Sequence, residues 1–344
     1  MRSTKLFVPA ILVAAAAALI LWSATPASAE PVKLSYANFP PAITFPCVQM
    51  ERWKTEVEKQ THGKVAIETY PGGTLLGAKN MLSGVMQGQA DIGCLCMSYQ
   101  PGVFPLTTVL GVPVGFTKST VASMTLWDLW EKYQPEEFSG AKVLALFTTA
   151  PSNIMSKVPV RSLADLKGLE LRASGGASKV LSMLGAVPVS MPMPETPDAL
   201  QKGMVKGLLS SLEVLKDFNF AEYCRYETLT NFQVYPFAVV MNKDKWNALP
   251  TDVKKVFDGL RAEQSLWTGE YMDGHVEEAL AWSKEKYQIE VISLPKSEQV
   301  QALETLSGMV DEWKKNAAKA GVPAEAVFND MLSLKAKYEK QYGR

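Results

Sequence analysis

The most pointed chemical group in this chain is one arginine at the end of an apolar run. Arg172 follows Leu171 and precedes Ala173, Ser174, Gly175 and Gly176, so a guanidinium stands where a short strand gives way to a turn. That group is a planar fork matched to a carboxylate or sulfonate, and it stays charged at every working pH. The plainer reading of a lone arginine is a pair with a structural carboxylate, or exposure to solvent. Glu213 and Glu195 are the carboxylates an exported enzyme would use as a base on an organic acid. Equally, Glu213 would accept a hydrogen bond from a ligand, and Glu195 would sit at a helix start beside Pro194. No G-x-S-x-G, H-E-x-x-H, Walker or G-x-G-x-x-G pattern occurs. The only histidines, His62 and His275, stand away from other ligand-type residues at zinc spacing, so hydrolytic and metal chemistry is poorly supplied and no cofactor is called for.

Four cysteines, Cys47, Cys94, Cys96 and Cys224, are too few for a fold built on disulfides. Cys94 and Cys96 are two apart in a strand-like run and share a face. A soft-metal pair or a bridge from Cys47 therefore competes with simple packing of small apolar side chains. The Gly72-Gly73 and Gly175-Gly176 pairs either offer backbone amides to an anion or make plain turns.

The compartment is set by the first segment. Arg2 and Lys5 form a basic head, Leu6 to Trp22 is uncharged and apolar apart from Pro9, and Ala27-Ser28-Ala29 is a small-x-small cleavage pattern. Residues 1–29 read as a secretory signal peptide, and no later stretch approaches the ~18 apolar residues of a membrane span. The expectation is a soluble protein exported to a periplasm. The rest of the 344 residues is too long for one small core and suits two α/β lobes. With 35 Lys and Arg against 35 Asp and Glu and no basic block, there is no footprint for nucleic acid.

Period-two and helical patterns alternate along the sequence. Strands are expected at Val32 to Ala37, Val65 to Tyr70, Ala90 to Leu95, Lys142 to Thr148, Ile154 to Val158, Glu170 to Ala173 and Val187 to Met191. Helices fall at Cys47 to Thr61, Asn80 to Met86, Val121 to Tyr133, Ala177 to Leu184 and Glu195 to Lys202. Such alternation predicts largely parallel sheets with helices on their faces. Met81 to Gly93 and Pro197 to Leu209 look like two copies of one plan, a short helix, two glycines and an apolar strand. From Thr251 the sequence turns helical: Thr251 to Lys286 is long enough to cross both lobes, Glu290 to Leu294 is extended, and helices follow at Ser297 to Ala320 and Pro323 to Tyr342.

The segment SLADLKGLELRASGG, Ser162 to Gly176, resembles the signature of the solute-binding proteins of tripartite ATP-independent periplasmic (TRAP) transporters. The resemblance continues through Glu51 to Gly77, Gln87 to Gly93, Leu181 to Gly207 and Val239 to Val253, in the family's order over nearly everything after residue 29. It implies a two-lobed α/β Venus flytrap fold, with residues 30–148 and 240–286 as lobe I, 149–239 as lobe II, and C-terminal helices over 287–344. It also implies that Arg172 clamps a ligand's acid group, and that the ligand passes to the small and large membrane subunits of an ion-gradient-driven permease. Carried over position by position, residues Cys94 to Tyr99, Ser98 among them, would line the cleft from lobe I with Asn38 and Phe39. Thr149 and Asn153 lie at the first crossing between lobes, and Phe232 and Tyr235 at the return. Ser174, Met193, Ser210 and Glu213 complete the set.

The departures narrow the ligand. Many dicarboxylate and sugar-acid binders of the family carry an asparagine at the place of Ser210, an aspartate at Lys206 and a second basic residue near Ser152. Without that second cation, and with Phe39, Phe147, Met193, Phe232 and Tyr235 near the cleft, the expected ligand is one acid group on an apolar or aromatic body, such as an aromatic or branched monocarboxylate or 2-oxo acid. A small sulfonate or a dicarboxylate is the alternative, and an exported enzyme is the rival class.

Overall fold

A computed structural model describes residues 30–343, so the expected signal segment lies outside the described residues. In sequence order the elements are β1 (Val32–Asn38), α1 (Phe45–Gln60), β2 (Val65–Tyr70), α2 (Met81–Met86), β3 (Ile92–Cys96), α3 (Ser119–Tyr133), β4 (Ala141–Thr148) and β5 (Asn153–Ser156). There follow β6 (Glu170–Ala173), α4 (Gly176–Met183), β7 (Val187–Ser190), α5 (Thr196–Gln201), β8 (Gly207–Ser210), α6 (Val214–Asp217), β9 (Tyr226–Leu229) and β10 (Pro236–Asn242). The last are α7 (Lys243–Ala248), α8 (Thr251–Tyr287), β11 (Glu290–Ser293), α9 (Lys296–Leu306), α10 (Gly308–Lys319) and α11 (Ala324–Tyr342).

The strands form two sheets, ordered β2-β1-β3-β10-β4 and β11-β9-β5-β8-β6-β7. The expectation of largely parallel sheets needs correction, because each sheet holds one reversed strand. β10 runs against β3 and β4, and β5 runs against β8 and β9. The cause is the double crossing. β4 leaves the first sheet and continues almost directly as β5 in the second, while β9 leaves the second and returns alongside as β10. Periodicity found neither β9 nor β10: Tyr226–Leu229 is four residues with Glu227 and Thr228 at its centre, and Pro236–Asn242 is a nearly continuous apolar run with no alternation.

The two crossing segments are zipped together. Ser152 N donates to Gln233 O (2.7 Å), Phe232 N to Ser152 O (3.2 Å) and Thr149 N to Tyr235 O (3.0 Å). Side chains add to the seam: Tyr235 N donates to Thr149 Oγ1 (3.0 Å), and Asn153 Oδ1 accepts from Thr230 N (2.7 Å) and Asn231 N (3.0 Å). Every polar group so paired can stay dry, so a two-stranded ribbon can pass through the middle of the molecule without exposing backbone to a cleft.

The long helix α8 packs on α1, α3 and β4 at one end and on α6 at the other, so it spans both lobes. Its middle is buried through small and polar residues, Gln264, Ser265, Thr268 and Gly269, rather than through a leucine stripe. A Cβ on Gly269 would fall 2.7 Å from Thr120 Cα, so only glycine allows α8 and α3 to approach this closely. Asp273 on α8 accepts from Ser119 N (2.6 Å) and Thr120 N (3.1 Å), capping the start of α3 from outside that helix. The helix expected over 297–320 breaks at Ser307, where a serine and Gly308, both weak helix formers, separate α9 from α10.

The two look-alike segments do adopt one plan. α2 and α5 each end in a left-handed glycine, Gly88 (φ 74°) and Gly203 (φ 72°), before entering β3 and β8. All four cysteines are buried and unbridged, which favours the packing reading for Cys94 and Cys96. Burial pushes the Cys47 thiol up to about 12, leaving it a poor thiolate.

Gly269→Val should cost about 1–3 kcal/mol of stability by forcing α8 away from α3. Gly274→Ala, on the same helix with nothing within 4 Å of its added Cβ, should instead stabilise by up to about 1 kcal/mol. Urea unfolding followed by tryptophan fluorescence distinguishes the two.

Candidate ligand-binding site

Between the facing ends of the two sheets lies a cavity with about 470 Å³ of space unoccupied by atoms, counted out to its mouth. Arg172 reaches it from the end of β6. The side chain is 1% exposed, and the backbone carbonyl of Met191 holds it from behind, accepting from Nε (3.0 Å) and Nη2 (2.8 Å). Nη2 also donates to Tyr99 Oη (3.2 Å). No carboxylate pairs with Arg172 among the described residues. Burying a full charge with only neutral acceptors is costly, and the cost is removed when an anion enters. The structural-carboxylate reading of this arginine therefore does not hold.

Tyr99 ties the two lobes at this point. It follows β3 of the first sheet, and its hydroxyl accepts from both Arg172 Nη2 and Met193 N (3.0 Å), which belong to the second lobe. With two acceptor positions occupied, the phenolic proton is left to donate into the cavity. A second cross-lobe contact explains Gly175, whose φ is 53° and whose Cβ would fall 2.8 Å from Ser98 Cβ. Gly72 and Gly73 are not an anion site: their N–H groups donate to Pro40 O (2.8 Å) and Asn38 O (2.9 Å).

The first lobe contributes an aromatic wall. Phe237 is stacked with Phe39 (centroids 6.2 Å apart) and Phe147 (5.5 Å), and Phe45 meets its edge (5.6 Å). Phe39, Phe45 and Phe237 line the cavity, whereas Phe147 lies behind them. The second lobe contributes an acidic corner. Glu213 accepts from Ser211 Oγ at Oε1 (2.8 Å), and Asp217 Oδ1 lies 2.8 Å from His275 Nε2 of α8. Burial, with Asp217 nearby, pushes the Glu213 carboxyl up to about 8. The bond to Asp217 raises His275 above its ordinary value.

A family model described as bacterial extracellular solute-binding protein, family 7 (DctP), matches residues 39–316. The chain belongs to this family. It is 26% identical to the C4-dicarboxylate-binding periplasmic protein DctP of Rhodobacter capsulatus over 311 residues, 86% of this chain and 91% of that one. It is also 26% identical to the 2,3-diketo-L-gulonate-binding periplasmic protein YiaO of Escherichia coli (strain K12), over 60% of this chain and 65% of the relative, just under two thirds of its length. Among solved structures, a TRAP periplasmic solute-binding protein from Desulfovibrio salexigens is 63% identical, with TM-score 0.82 over 90% of this chain and 97% of that one. It is an open complex with the C-terminus of a symmetry mate in the ligand-binding site. A TRAP solute-binding protein from Rhodoferax ferrireducens with copurified benzoate is 26% identical, with TM-score 0.85 over 90% and 99%. These are transport proteins, so this family-7 member is a TRAP solute-binding protein with the two-lobed α/β fold and not an enzyme, and its named relatives are periplasmic.

Of the residues expected in the cleft of this family-7 protein, Phe39, Thr149, Arg172, Ser174, Met193, Ser210, Glu213 and Tyr235 line the cavity. Four others do not. Asn38 is buried and fixes the loop after β1, donating to Pro46 O (2.6 Å) and accepting from Phe39 N (3.0 Å). Ser98 abuts Gly175 on the far side of Tyr99, and Asn153 and Phe232 belong to the crossing ribbon. Asn38 and Ser98 are each one residue from a lining position, Phe39 and Tyr99, whereas the side chain of Asn153 is spent on the ribbon's own hydrogen bonds. Glu195 is exposed outside the cavity. Cys96 and Tyr99, inside the expected stretch Cys94 to Tyr99, also line the cavity, and the lining residues missing from the expectation include Phe45, Phe237 and Asp217. Asp217 sits one helical turn past Glu213. Phe45 and Phe237 gave no signal beyond being apolar.

The raised carboxyls bear on stability. Besides Glu213, Glu227 is buried on β9 with neither carboxylate oxygen hydrogen-bonded, and burial pushes it up to about 7. Between the ordinary value of 4.5 and these raised values the folded protein keeps protons that the unfolded state has released, so stability falls as pH rises through that interval. His275, also raised, adds a loss of the same sign above 6.5. The melting temperature of the ligand-free protein should therefore decline from about pH 5 to about pH 8. Glu213→Gln and Glu227→Gln should each flatten that decline in a differential scanning series.

Proposed function

We propose that this protein captures a small organic acid anion in the interlobe cavity and delivers it to the membrane subunits of a TRAP permease, after export through its N-terminal segment to the periplasm. The observation that carries the reading is the buried Arg172 guanidinium, preset by Met191 O and Tyr99 Oη and lacking an anion of its own. A carboxylate arriving there meets donors already oriented, so little ordering cost is left to offset. Tyr99 and the Ser174 and Ser210 hydroxyls supply further donors along the lining.

The shape of the rest favours one acid group on an apolar body. Phe39, Phe45, Phe237 and Met193 provide apolar contact, and Arg172 is the only Arg or Lys among the described lining residues. A dicarboxylate would bring its second charge to a cavity that holds Glu213 and Asp217 instead of a second cation. Two relatives support the same class: the 63% identical structure holds the C-terminus of a symmetry mate, which ends in a carboxylate, and a 26% identical one holds benzoate. An aromatic or branched monocarboxylate or 2-oxo acid is the reading we adopt, with a small sulfonate as the competitor for the same guanidinium.

A charge-assisted pair in a dry cleft contributes on the order of 1.5 to 3 kcal/mol, whereas micromolar affinity needs about 8 kcal/mol, so the aromatic wall must supply much of the remainder. A thermal-shift screen of mono- and dicarboxylates, 2-oxo acids and sulfonates should show stabilisation by monocarboxylates. Titration calorimetry of the strongest hit should then show Arg172→Ala losing at least about 2 kcal/mol, roughly thirty-fold. Unchanged affinity in that variant would remove the clamp role.

A further inference from the structure

The cavity that contains Arg172 also contains carboxyl oxygens with nothing to bind. Glu213 is 2% exposed and Asp217 7%, and both line the cavity. Glu213 Oε1 is taken by Ser211 and Asp217 Oδ1 by His275, but Glu213 Oε2 and Asp217 Oδ2 have no hydrogen-bond partner among the described residues. Neither acid is ion-paired with Arg172, so the cation and the acids of one small cavity do not satisfy each other. The two acids are held in place from outside the cavity. His275 comes from α8, where it stacks on Tyr271 (centroids 5.3 Å, 19° between planes), and its other ring nitrogen faces Glu278 at 3.8 Å.

An apolar acid alone would satisfy Arg172 and leave these two oxygens buried and unpaired once the cleft closed over it. Sites built to bond an N–H or O–H reject analogues that lack it, because the site's own polar atoms are then stranded. We propose that the ligand is a monocarboxylate bearing a hydroxyl or N–H donor away from its acid group, and that Glu213 and Asp217 receive that donor. This rests on the carboxylate reading of Arg172 and narrows it: the aromatic wall holds the body of the ligand, Arg172 its acid group, and the acidic corner its donor.

The test uses matched acids on the full protein: benzoate against hydroxybenzoates and aminobenzoates, and unsubstituted linear acids against ω-hydroxy and ω-amino acids of equal length. At least one donor-bearing acid should bind about ten-fold or more tighter than its unsubstituted partner. Glu213→Leu should erase that preference. Glu213→Gln, which keeps an acceptor, should retain it for a hydroxyl and lose it for an ammonium. Calorimetry in buffers of different ionisation heat separates these two sources of donor, since an ammonium would release a proton from Glu213 and a hydroxyl would not. Thermal unfolding of both variants checks that they fold, and the wild-type comparison stands without them. If unsubstituted acids bind as tightly as every donor-bearing partner, with Arg172→Ala still abolishing binding, the donor site is overturned while the carboxylate reading survives. If no acid binds at all, the carboxylate reading itself fails.

Discussion

A guanidinium buried without a counter-ion among the described residues organises this structure. Arg172 is carried on a strand of one sheet, fixed by the carbonyl of Met191, and met across the cleft by a hydroxyl from beyond the other sheet. Such a group is tolerable only if its donors are nearly satisfied by neutral acceptors and its remaining need is met by something that comes and goes. The two-lobed architecture supplies that condition. It places the site between two sheets, where residues of both lobes line one cavity.

The crossing ribbon and the long helix join the two lobes. Residues 149–153 and 230–235 bond to each other, so the connection carries its own hydrogen bonds and needs none from the ligand. The same ribbon places Thr149 and Tyr235 in the lining of the cavity, joining the crossing to the site. α8 links the lobes from behind through polar and small side chains, with Asp273 capping α3 and His275 steadying Asp217. One helix thus braces the first lobe's fold and the second lobe's acidic corner.

The buried acids give the cavity a direction. Low dielectric favours the protonated form of Glu213, and the Asp217–His275 pair keeps a second acid hydrogen-bonded. The cavity thus holds a cation, an aromatic side and acidic oxygens in separate places.

Much of this was determined by the sequence alone. The extents of β2 and β6 and the long helix from Thr251 follow from apolar period and from glycine and proline punctuation, which are local properties. The family signature around Arg172 also lies within one continuous segment. What only the tertiary structure decided is whatever depends on distant parts of the sequence meeting. The direction of β5 and β10 follows from the double crossing, and the pairing of Tyr99 with Arg172 joins residues from different sheets. The displacement of Asn38, Ser98, Asn153 and Phe232 from the cavity turns on which face of a strand or loop looks inward. The acidic corner is the clearest case: Glu213 and Asp217 come from one segment and His275 from another, and only the packing of α8 against α6 brings the Asp217 carboxylate to the imidazole.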